Sequence, residues 1–150
     1  MQNYLIIIIA GIAGTLLMTG AVYLLSALTG KNYKVVGILA TMLANHTTKE
    51  KGLTRSTPDI LLGIAVHYLI GIFFAFIYYF LWQMGYLALT INSSILFGLS
   101  TGIVAIIFWS LFIRFHPNPP LIPVFTYVLS IGLVHILFSL GTYLVFSLMY

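Results

Sequence analysis

The stretch KNYKVVGILATMLANHTTKEKGLTRST, residues 31–57, decides how the rest of the chain is read. Lys31, Lys34, Lys49, Lys51 and Arg55 crowd into it, and the sixth basic side chain, Arg114, stands at the end of a later apolar run. The only two acids, Glu50 and Asp59, share the same connection, residues 30–59. Around it lie four apolar runs, at about 4–28, 60–83, 94–114 and 121–148. Each is long enough for a hydrocarbon layer of about 30 Å, which takes roughly 20 helical residues to cross. Positive charge resists translocation, so the connection is expected on the cytoplasmic side. The 84–92 loop and both chain ends carry no charged side chain and fall on the other side.

Composition excludes a soluble domain. The 150 residues are 61% hydrophobic and 5% charged, with a mean hydropathy of +1.12, whereas globular chains are about 25% charged. The four runs consume most of the chain, which leaves a single integral-membrane domain over 1–150. Of the net charge of +4, +3 falls in the connection and +1 on Arg114. This charge reads as a topology signal and a contact for anionic lipid, not as a nucleic-acid patch. No positive charge precedes the first run, which also exceeds a signal-peptide core of roughly 7–15 residues, so it is expected to stay as a span. The absence of cysteine excludes disulfides, thiolate metal sites and cysteine nucleophiles.

Span one is expected to stop at Thr29-Gly30, because glycine readily terminates a helix. Within the connection, VVGILATMLA at 35–44 is apolar but too short to span. The flanking lysines favour a short helix lying at the cytoplasmic interface, and the alternative is a segment folded back to plug the bundle. Ser56-Thr57-Pro58-Asp59 has the form of a helix start. Span two closes in an aromatic girdle of Tyr78, Tyr79, Trp82 and Tyr86, side chains that suit a membrane interface. The short loop after it predicts that spans two and three pack side by side. HPNPP, residues 116–120, breaks the helix before span four. The expected fold is all-α: a polytopic bundle of four transmembrane helices with one short cytoplasmic interfacial helix. An echo between LGIAVHYL and SIGLVHIL, which aligns His67 with His135, suggests a two-hairpin internal repeat.

Helices in lipid associate through small residues that let backbones approach. Such seams run through Gly11, Thr15 and Thr19, with Ala10 and Gly14 alongside, in span one. Span two offers Gly63, His67, Gly71 and Ala75, and span three Ser94, Gly98 and Gly102. Span four offers Gly132, His135, Ser139 and Thr142. The pattern suits helix packing, within one bundle or against a second copy or a membrane-protein partner, better than a wide pore. His67 and His135 stand out because ionisable side chains are rare inside spans. Counted from the expected helix mouths they lie ~10 Å and ~18 Å deep. Two facing imidazoles suit a haem iron or another metal, with neutral nitrogen as the ligand, whereas a plain structural role needs only a hydroxyl or carbonyl partner. His46 and His116, in the connections, are expected to be solvated. No carboxylate lies within a span, and paired carboxylates for hydrolysis, a glycine-rich phosphate loop and a nucleophile elbow are absent, so no catalytic or metal residue is assigned.

GIAGTLLMT at 11–19, GIAVHYLIGIFFAFIYY at 63–79 and the proline-bearing connection before span four together resemble the YagU-like type of small bacterial inner-membrane protein, a domain-of-unknown-function group. The resemblance implies a plasma-membrane address and assigns no functional residue. The leading expectation for function is a non-enzymatic multi-pass membrane protein that acts by packing, with itself, a partner or lipid. A small-solute channel or transporter is the alternative, and a histidine-ligated haem or quinone protein is the second. No cofactor is expected under the first two.

Reporter fusions check the orientation. Alkaline phosphatase placed after Tyr150 is expected to be active and the same enzyme placed within 45–52 inactive, since only the translocated side supports its folding. The opposite pattern would invert every depth given above.

Overall fold

The computed structural model describes residues 2–150 and consists of five helices: α1 (Gln2–Thr29), α2 (Val35–Ala44), α3 (Thr57–Gln83), α4 (Ile91–Phe115) and α5 (Val124–Met149). α1, α3, α4 and α5 are long and apolar enough to cross a membrane. Their outer faces carry Leu5, Leu16, Leu24, Leu69, Phe73, Ile103 and Leu133, all exposed. In water such a surface would drive aggregation; against lipid it carries no penalty. The chain is built as a multi-pass helical membrane protein.

Helix ends follow local chemistry. Gly30 adopts a left-handed φ of 68° and ends α1. Thr90 caps α4 by accepting the Ser93 amide at 3.2 Å, so that helix starts at Ile91 rather than at Ser94. α5 starts at Val124, after Pro123. α3 starts at Thr57, three residues ahead of the run's first strongly apolar side chain, with Pro58 in its first turn.

Around the bundle, α4 packs on α5, α5 on α1, and α1 on α3, with α2 laid against α3. The expected side-by-side pairing of spans two and three does not occur: α3 and α4 share no substantial interface despite their short loop. A loop limits only the separation of two helix ends, and the small-residue faces decide what packs along the length. A Cβ at Gly11 would lie 2.6 Å from the Ile72 Cα of α3, and one at Gly141 3.0 Å from the Gly14 Cα of α1. Gly98 and Gly102 of α4 press on the backbone of α5 at His135, Ile136 and Gly132. Gly63 faces Ala40 and the Val36 carbonyl, and so seats α2. Thr15, Ala75 and Ser139 are fully buried between helices, and Ser139 donates to the Ser94 carbonyl oxygen. The two hairpins implied by the repeat, α1 with α3 and α4 with α5, both pack. An exact two-fold would also make the α3–α4 interface match α1–α5, and that side stays open.

α2 is not an exposed amphipathic helix. Seven of its ten residues are buried, in a core with Val22, Trp109, Ile113, Tyr127, Val128 and Ile131. The segment is folded into the lysine-bearing end of the bundle, between α3 and the α4–α5 pair. At the other end Tyr78 is fully buried and stacks on Phe97 at 4.7 Å between ring centroids. Tyr78 is therefore core and not girdle, whereas Tyr86 is exposed. Tyr79, Trp82, Phe146 and Tyr150 cluster beside it, and Asn3 donates to the Tyr79 hydroxyl. Both described ends of the chain therefore lie opposite the lysine-bearing connection.

The packing carries a direct test. Gly98→Ala puts a methyl 2.7 Å from the Ile136 Cα, an overlap of rigid backbone expected to cost about 1–3 kcal/mol. Gly20→Ala meets nothing within 4 Å and is expected to leave stability unchanged or slightly raised. Melting of the two variants in detergent checks this; equal Tm values would show that the α4–α5 contact is not tight.

Candidate functional site

The open α3–α4 side leads to a cavity of about 200 Å³ lined by residues of all five helices. Its ends are closed. Val35 and Leu39 of α2 line it toward the lysine-bearing end, and the Tyr78–Phe97 stack joins α3 to α4 toward the other. Between them Ile70 on α3 and Val104 and Phe108 on α4 line the cavity while remaining exposed on the outer surface. They frame a window at mid-bundle that opens on the apolar outer surface. Trp109, Ile131 and Phe138 form much of the inner wall.

Three polar side chains reach this apolar space: Thr15, His67 and His135. Thr15 donates to the Gly11 carbonyl oxygen at 2.7 Å, so its proton is already engaged. His67 Nε2 is 2.9 Å from the Thr19 hydroxyl. His135 Nδ1 is 2.7 Å from the Ile131 carbonyl oxygen; a carbonyl only accepts, so Nδ1 carries the proton. Each imidazole is thus tied to a helix through one nitrogen, as a structural histidine would be, and both nevertheless line the same cavity. Their expected difference in depth disappears once the true helix starts are used. His67 lies ten residues into α3 and His135 eleven into α5, which is ~15 and ~17 Å along each axis.

The other two histidines are structural in a way that the sequence hides. His46 is mostly exposed, yet its Nδ1 is 2.9 Å from Asp59 Oδ2, which also accepts from the Thr54 hydroxyl at 2.7 Å. His116 is not simply solvated: Nε2 donates to the Met42 carbonyl oxygen at 2.8 Å, and Nδ1 accepts the Asn118 amide at 3.1 Å. Lys51 donates to the Asn118 side chain, and the Leu121 amide to the Lys51 carbonyl oxygen at 2.7 Å. These bonds pin the 45–56 loop to the α4–α5 turn and keep α2 in place. They satisfy backbone groups that would otherwise face a poorly hydrated bundle end.

A second cleft, about 950 Å³, opens at the lysine-bearing end beside Tyr23, Asn32, Lys34, Glu50, Thr54 and Arg55. Its cations are exposed and one acid accompanies them, so it is a solvated polar face. Among the described residues no cluster of three or more His, Asp or Glu side chains could hold a metal ion.

The fourteen small or hydroxyl residues singled out as seams do not form a site of their own; they lie where helices meet, and Thr15 and Gly71 also contribute to the cavity wall. The aromatic and aliphatic wall residues Phe74, Trp109 and Ile131 carry no sequence signal beyond lying on spans. Their convergence depends on which helix pair stays apart. Compared with family models, curated proteins and solved structures, the chain matches none.

Proposed function

We propose that this is a non-enzymatic protein of a bacterial-type plasma membrane, its lysine-bearing connection cytoplasmic, that binds a membrane-dissolved apolar molecule in the α3–α4 cavity. The resemblance to the YagU-like group belongs to the same reading. The observation that carries it is the window. A cavity walled by Phe74, Val104, Phe108, Trp109 and Phe138 and open between two lipid-facing helices is reached from the bilayer and not from water. Apolar concave sites with a few convergent polar groups are the usual form of small-molecule pockets.

Two other readings have less support. A solute route needs a continuous polar path across the membrane, and here Val35 and Leu39 stand on one side of the cavity and the Tyr78–Phe97 stack on the other. A haem needs far more room than about 200 Å³, since pockets for drug-sized ligands run from about 300 to 1,000 Å³. No carboxylate lines the cavity, which favours binding over acid–base chemistry.

Trp109 reports on occupancy. The chain has two tryptophans, so Trp82→Phe leaves Trp109 alone in the cavity wall, 6% exposed. In bilayers of phospholipid brominated at mid-chain, strong quenching of Trp109 is expected. Ala105→Phe, whose ring would fill the cavity, should reduce that quenching while the protein stays folded. Quenching that is absent, or unaffected by the filled cavity, overturns the reading.

A further inference from the structure

The cavity's size and its two leftover ring nitrogens say more about the occupant than that it is apolar. An apolar cavity of about 150 Å³ is enough to hold a benzene molecule. At about 200 Å³ this one has room for a six-membered ring with small substituents. The aromatic walls Phe74, Trp109 and Phe138 suit the faces of such a ring.

The polar contacts available are specific. With Nδ1–H of His135 engaged by the Ile131 carbonyl, Nε2 of the neutral ring is an acceptor, and it has no hydrogen-bond partner among the described residues. His67 uses Nε2 on Thr19, and its Nδ1 likewise lacks a partner. Both side chains are more than nine-tenths buried. Neither nitrogen is sealed off as the unpartnered hydroxyls of Tyr78 and Tyr127 are. A buried nitrogen facing an apolar space without a partner is unfavourable, so a ligand that satisfies it gains affinity and specificity.

We propose that the cavity holds the ring of a lipid-soluble quinol, its hydroxyls meeting His67 and His135 and its apolar tail leaving through the window between α3 and α4. The reduced form is singled out by the hydrogen-bond inventory. If the Thr19 hydroxyl donates to His67 Nε2, the pair presents one donor and one acceptor; if it accepts, the pair presents two acceptors. A quinol satisfies both nitrogens in either case. A quinone, which only accepts, satisfies one in the first case and none in the second. The proposal is one of binding and includes no electron transfer. It rests on the preceding reading of the cavity as a site loaded from the bilayer.

The test uses the full chain in lipid nanodiscs, with a decyl-substituted hydroquinone titrated under anaerobic conditions and empty nanodiscs subtracted. Saturable binding is expected, tighter than that of the corresponding quinone by about tenfold for each further hydrogen bond, one or two according to the Thr19 direction. The dimethyl ether of the hydroquinone, which has no donor, should also bind about tenfold more weakly. His135→Phe should lower the preference for the hydroquinone about tenfold while leaving bromolipid quenching of Trp109 in place. If that variant fails to fold, the ligand series on the unaltered chain decides. Equal affinity for hydroquinone, quinone and dimethyl ether, or no saturable binding, would overturn the quinol assignment. Should bromolipid quenching persist in that event, only the head-group chemistry has failed; should it be absent too, the cavity reading has failed with it.

Discussion

The close approach of α1 to α5 at Gly14 and Gly141 is the contact from which the rest of the bundle is arranged. A Cβ at Gly14 would run into the Phe138 carbonyl and the Thr142 hydroxyl, so these helices meet nearly backbone to backbone. In lipid there is no hydrophobic drive between spans, and such surfaces of fit, with their dispersion contacts, decide which helices pair. Once α1 and α5 form the central pair, α3 docks on α1 and α4 on α5. The two outer helices are then held apart along most of their length. The window and the cavity behind it follow from that order, as a consequence of which faces carry glycine.

What prevents the gap from being an open cleft is the lysine-bearing connection. α2 enters beneath it, seated by Gly63 and fixed from outside by His116 on the Met42 carbonyl and by the loop bonds around Asp59, Thr54 and Lys51. The charged stretch therefore acts at two levels. Its lysines are the sequence's topology signal, and its short-range hydrogen bonds place an apolar plug. A helix with seven of ten residues buried has little apolar face left for the headgroup region, so packing decided between two placements that hydrophobicity and flanking charge left open.

The histidines illustrate how an intramembrane polar group can be structural and available at once. Each ring is oriented by one bond, to Thr19 or to the Ile131 carbonyl. That bond fixes which edge is left over, and the arrangement of helices decides that the left-over edges share a space. A hydrogen bond at one nitrogen thereby makes the other a defined recognition element, because the neutral ring has one donor and one acceptor.

Much of this was legible in the chain's letters. Four apolar runs of spanning length, one charged connection and Gly30 after Thr29 determined the all-α membrane architecture, the antiparallel passage of the spans and the end of α1, because each depends on local composition or backbone freedom. The small residues of the seams, Gly11, Gly71, Gly98 and Gly102 among them, marked faces able to approach closely. They did not say which faces would meet, and Gly141, the partner of Gly14, stood in no regular seam. The Thr90 cap was overlooked in favour of hydropathy, and although Ser56-Thr57-Pro58-Asp59 marked the start of α3, the depth of His67 was counted from the apolar run and so fell short of that of His135. Tertiary structure alone decided that α3 and α4 stay apart, that α2 lies inside and that two histidines on different helices line one cavity. These outcomes depend on competition among similar apolar surfaces, and only three-dimensional fit distinguishes one greasy helix face from another.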